Sequence, residues 1–154
     1  MAQIHPFIAD EPTLDRFIAD WQACQLAKSC WTHAAHIGTA AYFAFDHEPA
    51  ALLVLMRTGI SRFNESVGGK NTEDAGYHET ITRFWCNVIT KFAREHQPCS
   101  RFALVCKAVD AFGESRDFHG KYYSFDVIKD RRARREWVAP DLPAGFVDVC
   151  EDND

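Results

Sequence analysis

No apolar run in this chain approaches the ~20 residues that cross a bilayer as a helix. The longest, Ala34 to Phe45, is short and contains His36 and Thr39. Met1 to Asp10 lacks the basic start and apolar centre of a signal peptide. There is no Cys-x-x-Cys pair, so a thiolate zinc knot is not expected. An excess of positive charge is missing too: 17 Lys and Arg stand against 22 Asp and Glu, for a formal charge of -5. That balance makes nucleic acid an unlikely partner, because general nucleic-acid binders are basic. No alternating strand pattern, internal repeat, low-complexity tract or interdomain linker competes with a helical reading. These absences leave a soluble, cytoplasmic, all-α protein of one domain, residues 1–154.

What the chain does have is apolar content and aromatic rings. Hydrophobic residues make up 47% and charged residues 25%, as in an ordinary globular protein. At 154 residues the chain can bury roughly 70% of its unfolded surface. Twelve Phe and four Trp supply the core, and seven His are the first place to look for chemistry. The six cysteines, Cys24, Cys30, Cys86, Cys99, Cys106 and Cys150, mostly lie among apolar residues at helical spacing. They read as reduced core side chains.

Helical periodicity predicts five main helices. The first covers Thr13 to about Lys28, with Leu14, Phe17, Ile18, Trp21 and Gln25 on one stripe behind Pro12. The second starts near the cap residue Thr32 and runs to about Phe45, with His33, His36, Ile37, Ala40, Phe43 and Ala44 aligned. The third runs from Pro49 to about Phe63, with Leu52, Leu53, Met56, Ile60 and Phe63 inward. Val67 to Gly76 is a glycine-rich loop. The fourth helix covers about Tyr77 to His96, with Ile81, Phe84, Trp85, Val88 and Phe92 on one face, and Pro98 follows it. The fifth covers about Arg101 to Phe112. Gly113 to Ser124 is irregular, short helical pieces follow up to Val138, and about 143–154 is an acidic tail expected to fray. The expected architecture is an antiparallel helical bundle with a short C-terminal helical extension.

Short connections make successive helices antiparallel neighbours. His33, His36, Asn64, Glu65, Asn71, Tyr77, His78 and Glu79 then meet at one end of the bundle. His33 and His36, three residues apart, share a helix face. At a helix start the macrodipole favours neutral imidazole, the ligating form. His78 would complete a three-histidine metal site with an open position, as catalytic zinc uses, and Glu79 or Glu65 would supply negative charge. Two histidines with one carboxylate would instead suit non-haem iron. Glu79 is the candidate base, Tyr77 a proton donor or orienting group, and Asn71 and Glu65 line the pocket. A metal-free polar network of the same side chains is the alternative.

Other motifs carry less. His78-Glu79-Thr80-Ile81-Thr82 misses His-Glu-x-x-His because Thr82 stands in the second histidine position. Gly68-Gly69-Lys70-Asn71-Thr72 lacks the first glycine of a phosphate loop, which would fall at Asn64, and has no strand before it. Lys129 to Arg135 carries five basic residues in seven and reads as a solvated helix face, with RNA binding the weaker option.

Three blocks together resemble a family of small bacterial proteins with no assigned reaction: Trp31 to His36 (WTHAAH), Arg62 to Trp85 (RFNESVGGKNTEDAGYHETITRFW), and Tyr122-Tyr123-Ser124 through Trp137-Val138 to Pro140-Asp141-Leu142. The resemblance implies shared motif positions, His33, His36, Asn71, Thr72, Tyr77, His78 and Glu79, and no activity. A looser similarity is to DinB-like helical bundles, which hold a metal with three histidines. The spacing here departs from theirs, because two ligands would share one helix. The functional expectation is a metal-dependent, hydrolase-like enzyme acting on a small molecule. His33, His36 and His78 would bind a divalent ion such as Zn²⁺, which lowers the pKa of its bound water. The alternative is a non-catalytic ligand-binding or protein-interaction module.

Overall fold

The computed structural model describes residues 5–151. It contains six α-helices: α1 (Glu11–Gln22), α2 (His33–Ala44), α3 (Pro49–Ser66), α4 (Glu79–Glu95), α5 (Arg101–Phe112) and α6 (Arg131–Arg135). A 3-10 turn, Pro6–Ile8, precedes α1, two more, Lys28–Cys30 and Phe118–Lys121, fall between helices, and the described residues include no β-strand. None of the helices is long and apolar enough to cross a membrane.

Local chemistry explains most helix starts. Asp10 accepts the Thr13 N–H at 2.8 Å, Thr32 accepts that of Ala35 at 3.2 Å, Ser100 that of Ala103 at 3.1 Å, and Asp130 that of Ala133 at 2.8 Å. Each satisfies a donor that the first helical turn leaves open. Helix α1 ends six residues earlier than the apolar stripe suggests. The chain turns at Cys24, where φ is 56°, so Gln25 and Lys28 lie outside the helix. Helix α4 begins two residues later than expected, because His78 serves as its cap rather than as part of its first turn.

Helix α2 sits at the centre. Ala34, Ala35, Ile37, Gly38, Thr39, Ala40, Ala41 and Phe43 are all buried, leaving no polar face along its middle. Its most extensive packing is against α5 and then α4. Small side chains permit that approach. A Cβ at Gly38 would stand 2.7 Å from the Phe7 ring. A second close approach joins α1 to α3, where a Cβ at Gly59 would run into the Trp21 indole.

Helix α4 differs from its sequence reading in which face it buries. Phe84 and Trp85 are buried as expected, but Cys86, Ile89 and Ala93 join them, together with the polar Thr80, Asn87 and Thr90, whereas Ile81, Val88 and Phe92 are half-buried. Thr80 and Asn87 are there because α4 carries the C-terminal segment on its outer side. Thr80 Oγ1 donates to the Glu136 carbonyl at 2.8 Å and accepts the Val138 N–H at 3.0 Å. Asn87 Oδ1 accepts the Val149 N–H at 2.6 Å. Irregular backbone has no partners of its own, so these side chains stand in for them.

Over the described residues the tail, expected to fray over 143–154, packs back against α4. Phe146 stacks on Phe84 with centroids 5.6 Å apart. Asp148 receives Nη2 of Arg83 at 2.6 Å and Nδ2 of Asn87 at 3.0 Å. Cys150 is 3% exposed. Sequence composition registers the acidic residues but not the buried arginine waiting for one of them. The last part of the expected acidic tail lies outside the described residues.

The Arg83–Asp148 pair is poorly exposed on both sides, and removing one member leaves the other desolvated and unpaired. Asp148→Ala is expected to lower unfolding free energy by about 2–4 kcal/mol in chemical denaturation. A loss below about 0.5 kcal/mol, the level of an ordinary surface change, would show that the tail contributes nothing to the fold.

Candidate functional site

His33 and His36 line one cavity of about 330 Å³. Its other walls are Trp31, Ile37 and Ala40 near the start of α2, Met56 and Ile60 of α3, Ile81, Thr82, Trp85 and Cys86 of α4, and Arg116 and Ile128 from the C-terminal segments. No carboxylate lines it.

The two histidines are oriented by hydrogen bonds to backbone carbonyls. His33 Nε2 donates to the Phe112 carbonyl at 3.1 Å, satisfying an acceptor at the end of α5. His36 Nδ1 donates to the Thr32 carbonyl at 2.7 Å. Those bonds assign the tautomers. His33 keeps its lone pair on Nδ1 and His36 on Nε2, and neither atom has a hydrogen-bond partner among the described residues. The His36 ring lies 3.9 Å from the Trp31 ring, and His33 meets Trp85 edge-on at 5.3 Å.

Both imidazoles are held neutral. Burial pushes His36 down to about 4; the Thr32 carbonyl opposes this, and His33 and the Arg116 charge add to it. Burial likewise lowers His33, against the Phe112 carbonyl and with the help of Arg116. The expected neutral state at the α2 start is thus accounted for, with desolvation as the main cause rather than the helix dipole.

His78 is placed differently. Its Nδ1 accepts the Ile81 N–H at 3.2 Å, and its Nε2 donates to the Val127 carbonyl at 2.8 Å. Both nitrogens are committed, so the ring caps α4 and ties it to the segment before α6. Burial lowers its proton affinity, opposed by the Val127 carbonyl. It does not line the cavity of His33 and His36. Among the described residues, no group of three or more His, Cys, Asp or Glu is arranged to hold a metal ion.

The carboxylates have partners elsewhere. Glu79 takes Arg57 Nε at 2.9 Å and Nη2 at 2.5 Å, and Tyr77 donates its hydroxyl at 2.5 Å. Burial raises the Glu79 carboxyl, but the hydrogen bonds from Arg57 and Tyr77 outweigh it and leave proton affinity below normal. Burial, and then Glu79, push the Tyr77 phenol well above its ordinary value. A carboxylate with both oxygens held this way is a weak proton acceptor. Asn71 organises the 67–78 loop: its Nδ2 donates to the Ser61 carbonyl at 2.9 Å, and its Oδ1 accepts the Tyr77 N–H at 2.9 Å. The Glu65 carboxylate accepts a long hydrogen bond from Asn71 Nδ2 at 3.4 Å.

The basic run expected to be a solvated face is in part a clamp on that loop. Arg131 pairs with Asp74, Arg135 with Glu73, and Arg134 Nη1 donates to the Gly76 carbonyl at 2.8 Å. Two groups near the histidines were not singled out from sequence, Arg116 and His119. Both lie in the segment Gly113 to Ser124, which the sequence reading leaves as irregular. Arg116 lines the cavity. His119 bears electrostatically on both His33 and His78, and its Nδ1 is buried without a hydrogen-bond partner.

The sign of the pH effect follows from these shifts. His33, His36 and His78 all bind a proton less readily folded than unfolded. The unfolded chain therefore takes up protons first as pH falls below about 6.5. Their contribution to stability is complete above that value and is lost as pH falls towards about 4, the value for His36. His36 alone accounts for up to about 3 kcal/mol at ~1.4 kcal/mol per pH unit. Urea melts between pH 7.5 and 4 should show this decline, and His36→Phe should flatten it. An unchanged slope in that variant would contradict the assignment. His78→Ala should cost about 1–3 kcal/mol at pH 7 through loss of a cap and a buried hydrogen bond.

Comparison with protein-family models, curated proteins and solved structures gave no match for this chain.

Proposed function

We propose that the helices form an antiparallel bundle whose His33–His36 cavity binds a small organic acid. The acid's apolar body would lie against Trp31, Trp85, Met56 and Ile60. Its carboxylate would meet Arg116, and a hydroxyl or N–H donor would be accepted by a histidine. The observation that carries this reading is the pair of lone-pair nitrogens left without protein partners in one cavity. The size and the apolar walls with a few polar groups suit a small-molecule site. Electrostatics favour an anion: Arg116 is the only formally charged side chain in the lining. A histidine with a pKa of about 4 is poorly matched to acid–base turnover at neutral pH, which supports binding over catalysis.

The free nitrogens also support a second reading, in which His33 and His36 hold a divalent ion with the remaining positions filled by water or substrate, giving a hydrolase-like centre. His78 would contribute only after giving up its cap and its bond to Val127.

Calorimetric titration with 4-hydroxyphenylacetate and phenylacetate separates these readings. The hydroxylated acid is expected to bind more tightly, by about 1 kcal/mol or roughly fivefold, for the added hydrogen bond. His36→Phe should abolish that difference, and Arg116→Ala should weaken both acids. Equal binding of the two acids by the wild-type protein would sink the organic-acid reading. For the metal reading, ZnCl₂ should raise the wild-type melting temperature and leave that of His33→Ala unchanged. No rise in the wild-type protein would remove it.

A further inference from the structure

A second and larger cavity, about 480 Å³, lies on the other side of α4, under the C-terminal segment. Its walls include Phe92, Phe112, Phe118, Tyr122 and Phe146. These rings already meet one another edge-on or tilted. Phe92 and Phe112 are 5.4 Å apart, Phe112 and Phe118 5.5 Å, and Tyr122 and Phe146 6.0 Å. A lining of this kind offers both ring faces and ring edges, which a flat aromatic guest can match with offset or edge-to-face contacts.

The polar groups in the lining divide sharply by whether they are committed. Asn87 is spent on Asp148 and the Val149 N–H. Glu95 and Lys91 stand 3.9 Å apart on an exposed helix face, a separation and setting in which an ion pair holds weakly. Arg94 makes no ion pair among the described residues. Asp148, in the segment that covers the cavity, is held by Arg83 and does not line it, which leaves Glu95 as the carboxylate in the lining. Among the described residues the cavity therefore combines an aromatic interior with one cation that makes no ion pair, Arg94, and one that is loosely held, Lys91.

We propose that this cavity is a binding site for a flat aromatic monoanion, with the ring system among Phe112, Phe118 and Phe146 and the carboxylate at Arg94 and Lys91. The roof, Gly145 to Val149, is fixed at Phe146 by its stacking on Phe84 and at Asp148 by Arg83, whereas Val147 between them is 70% exposed. The site shares no lining residue with the His33–His36 cavity, although the two adjoin: Trp85, which lines that one, meets Phe112 and Phe118, which line this one, at 5.8 and 5.7 Å.

The test uses 1-naphthylacetate and its neutral amide, 1-naphthylacetamide, titrated calorimetrically into the full chain carrying Arg116→Ala, so that the first cavity does not contribute its cation. Saturable binding of the acid is expected, with amide chemical shifts changing at Phe146, Val147 and Val149. Adding Lys91→Ala and Arg94→Ala should weaken the acid at least fivefold, about 1 kcal/mol, and leave the amide unaffected. Both positions are exposed, so these variants should fold normally. Absence of saturation up to about 5 mM, equal weakening of acid and amide, or shifts confined to the His33–His36 cavity would each overturn the proposal.

Discussion

Nearly everything else in this fold depends on burying α2 from all sides. A helix so placed cannot carry large side chains on every face, because its neighbours would be held too far away to exclude water. The sequence His-Ala-Ala-His-Ile-Gly-Thr-Ala-Ala meets that requirement, with Gly38 letting the Phe7 ring approach directly. The same burial determines the chemistry at the α2 start. Charged imidazolium cannot be desolvated cheaply, so His33 and His36 remain neutral and donate one proton each to nearby carbonyls. What faces the cavity is then a pair of acceptors, not a pair of cations.

A second constraint runs along α4. The chain after α5 has little regular structure, and its backbone must find partners away from itself. Helix α4 and its cap provide them from positions two to four residues apart: His78 for the Val127 carbonyl, Thr80 for Glu136 and Val138 and Asn87 for Val149, with Arg83 adding an ion pair to the Asp148 side chain. Polar residues inside a helix are costly unless paired, and here each pairing fixes a different point of the C-terminal segment. That segment in turn supplies Arg116 and Ile128 to one cavity and Phe118, Tyr122 and Phe146 to the other. Both cavities are therefore products of how α4 holds the end of the chain.

The sequence made the all-helical class and most helix positions legible, because apolar periodicity and cap residues are local signals. Thr32, Ser100 and Asp130 each cap a helix as their side-chain chemistry allows. The inward residues of α3 follow the 3.6-residue period closely. The face of α4 was harder to read, since Thr80 and Asn87 look like solvent-facing positions until the C-terminal segment is laid over them. The anchoring of the tail was hidden for the same reason. Asp148 is one acid among several by composition, and only the position of Arg83 distinguishes it.

For the candidate site, grouping residues by helix ends identified His33, His36, Asn71, Tyr77, His78 and Glu79 as a set worth examining, but it could not assign their work. Proximity says which groups are near one another; function depends on which lone pairs and protons remain after the backbone has taken its share. A histidine at a cap position is taken up by the helix it starts, as at His78. A carboxylate beside a half-buried arginine is taken up by it, as at Glu79. An asparagine inside a tight loop is taken up by that loop, as at Asn71. His33 and His36 are different because each ring satisfies one carbonyl and has a second nitrogen left over. Among the described residues Arg116 is the one charged side chain of the lining, with Glu114 also acting on His33, so the free nitrogens lie beside a positive charge. The proposed organic acid carries the matching donor and anion.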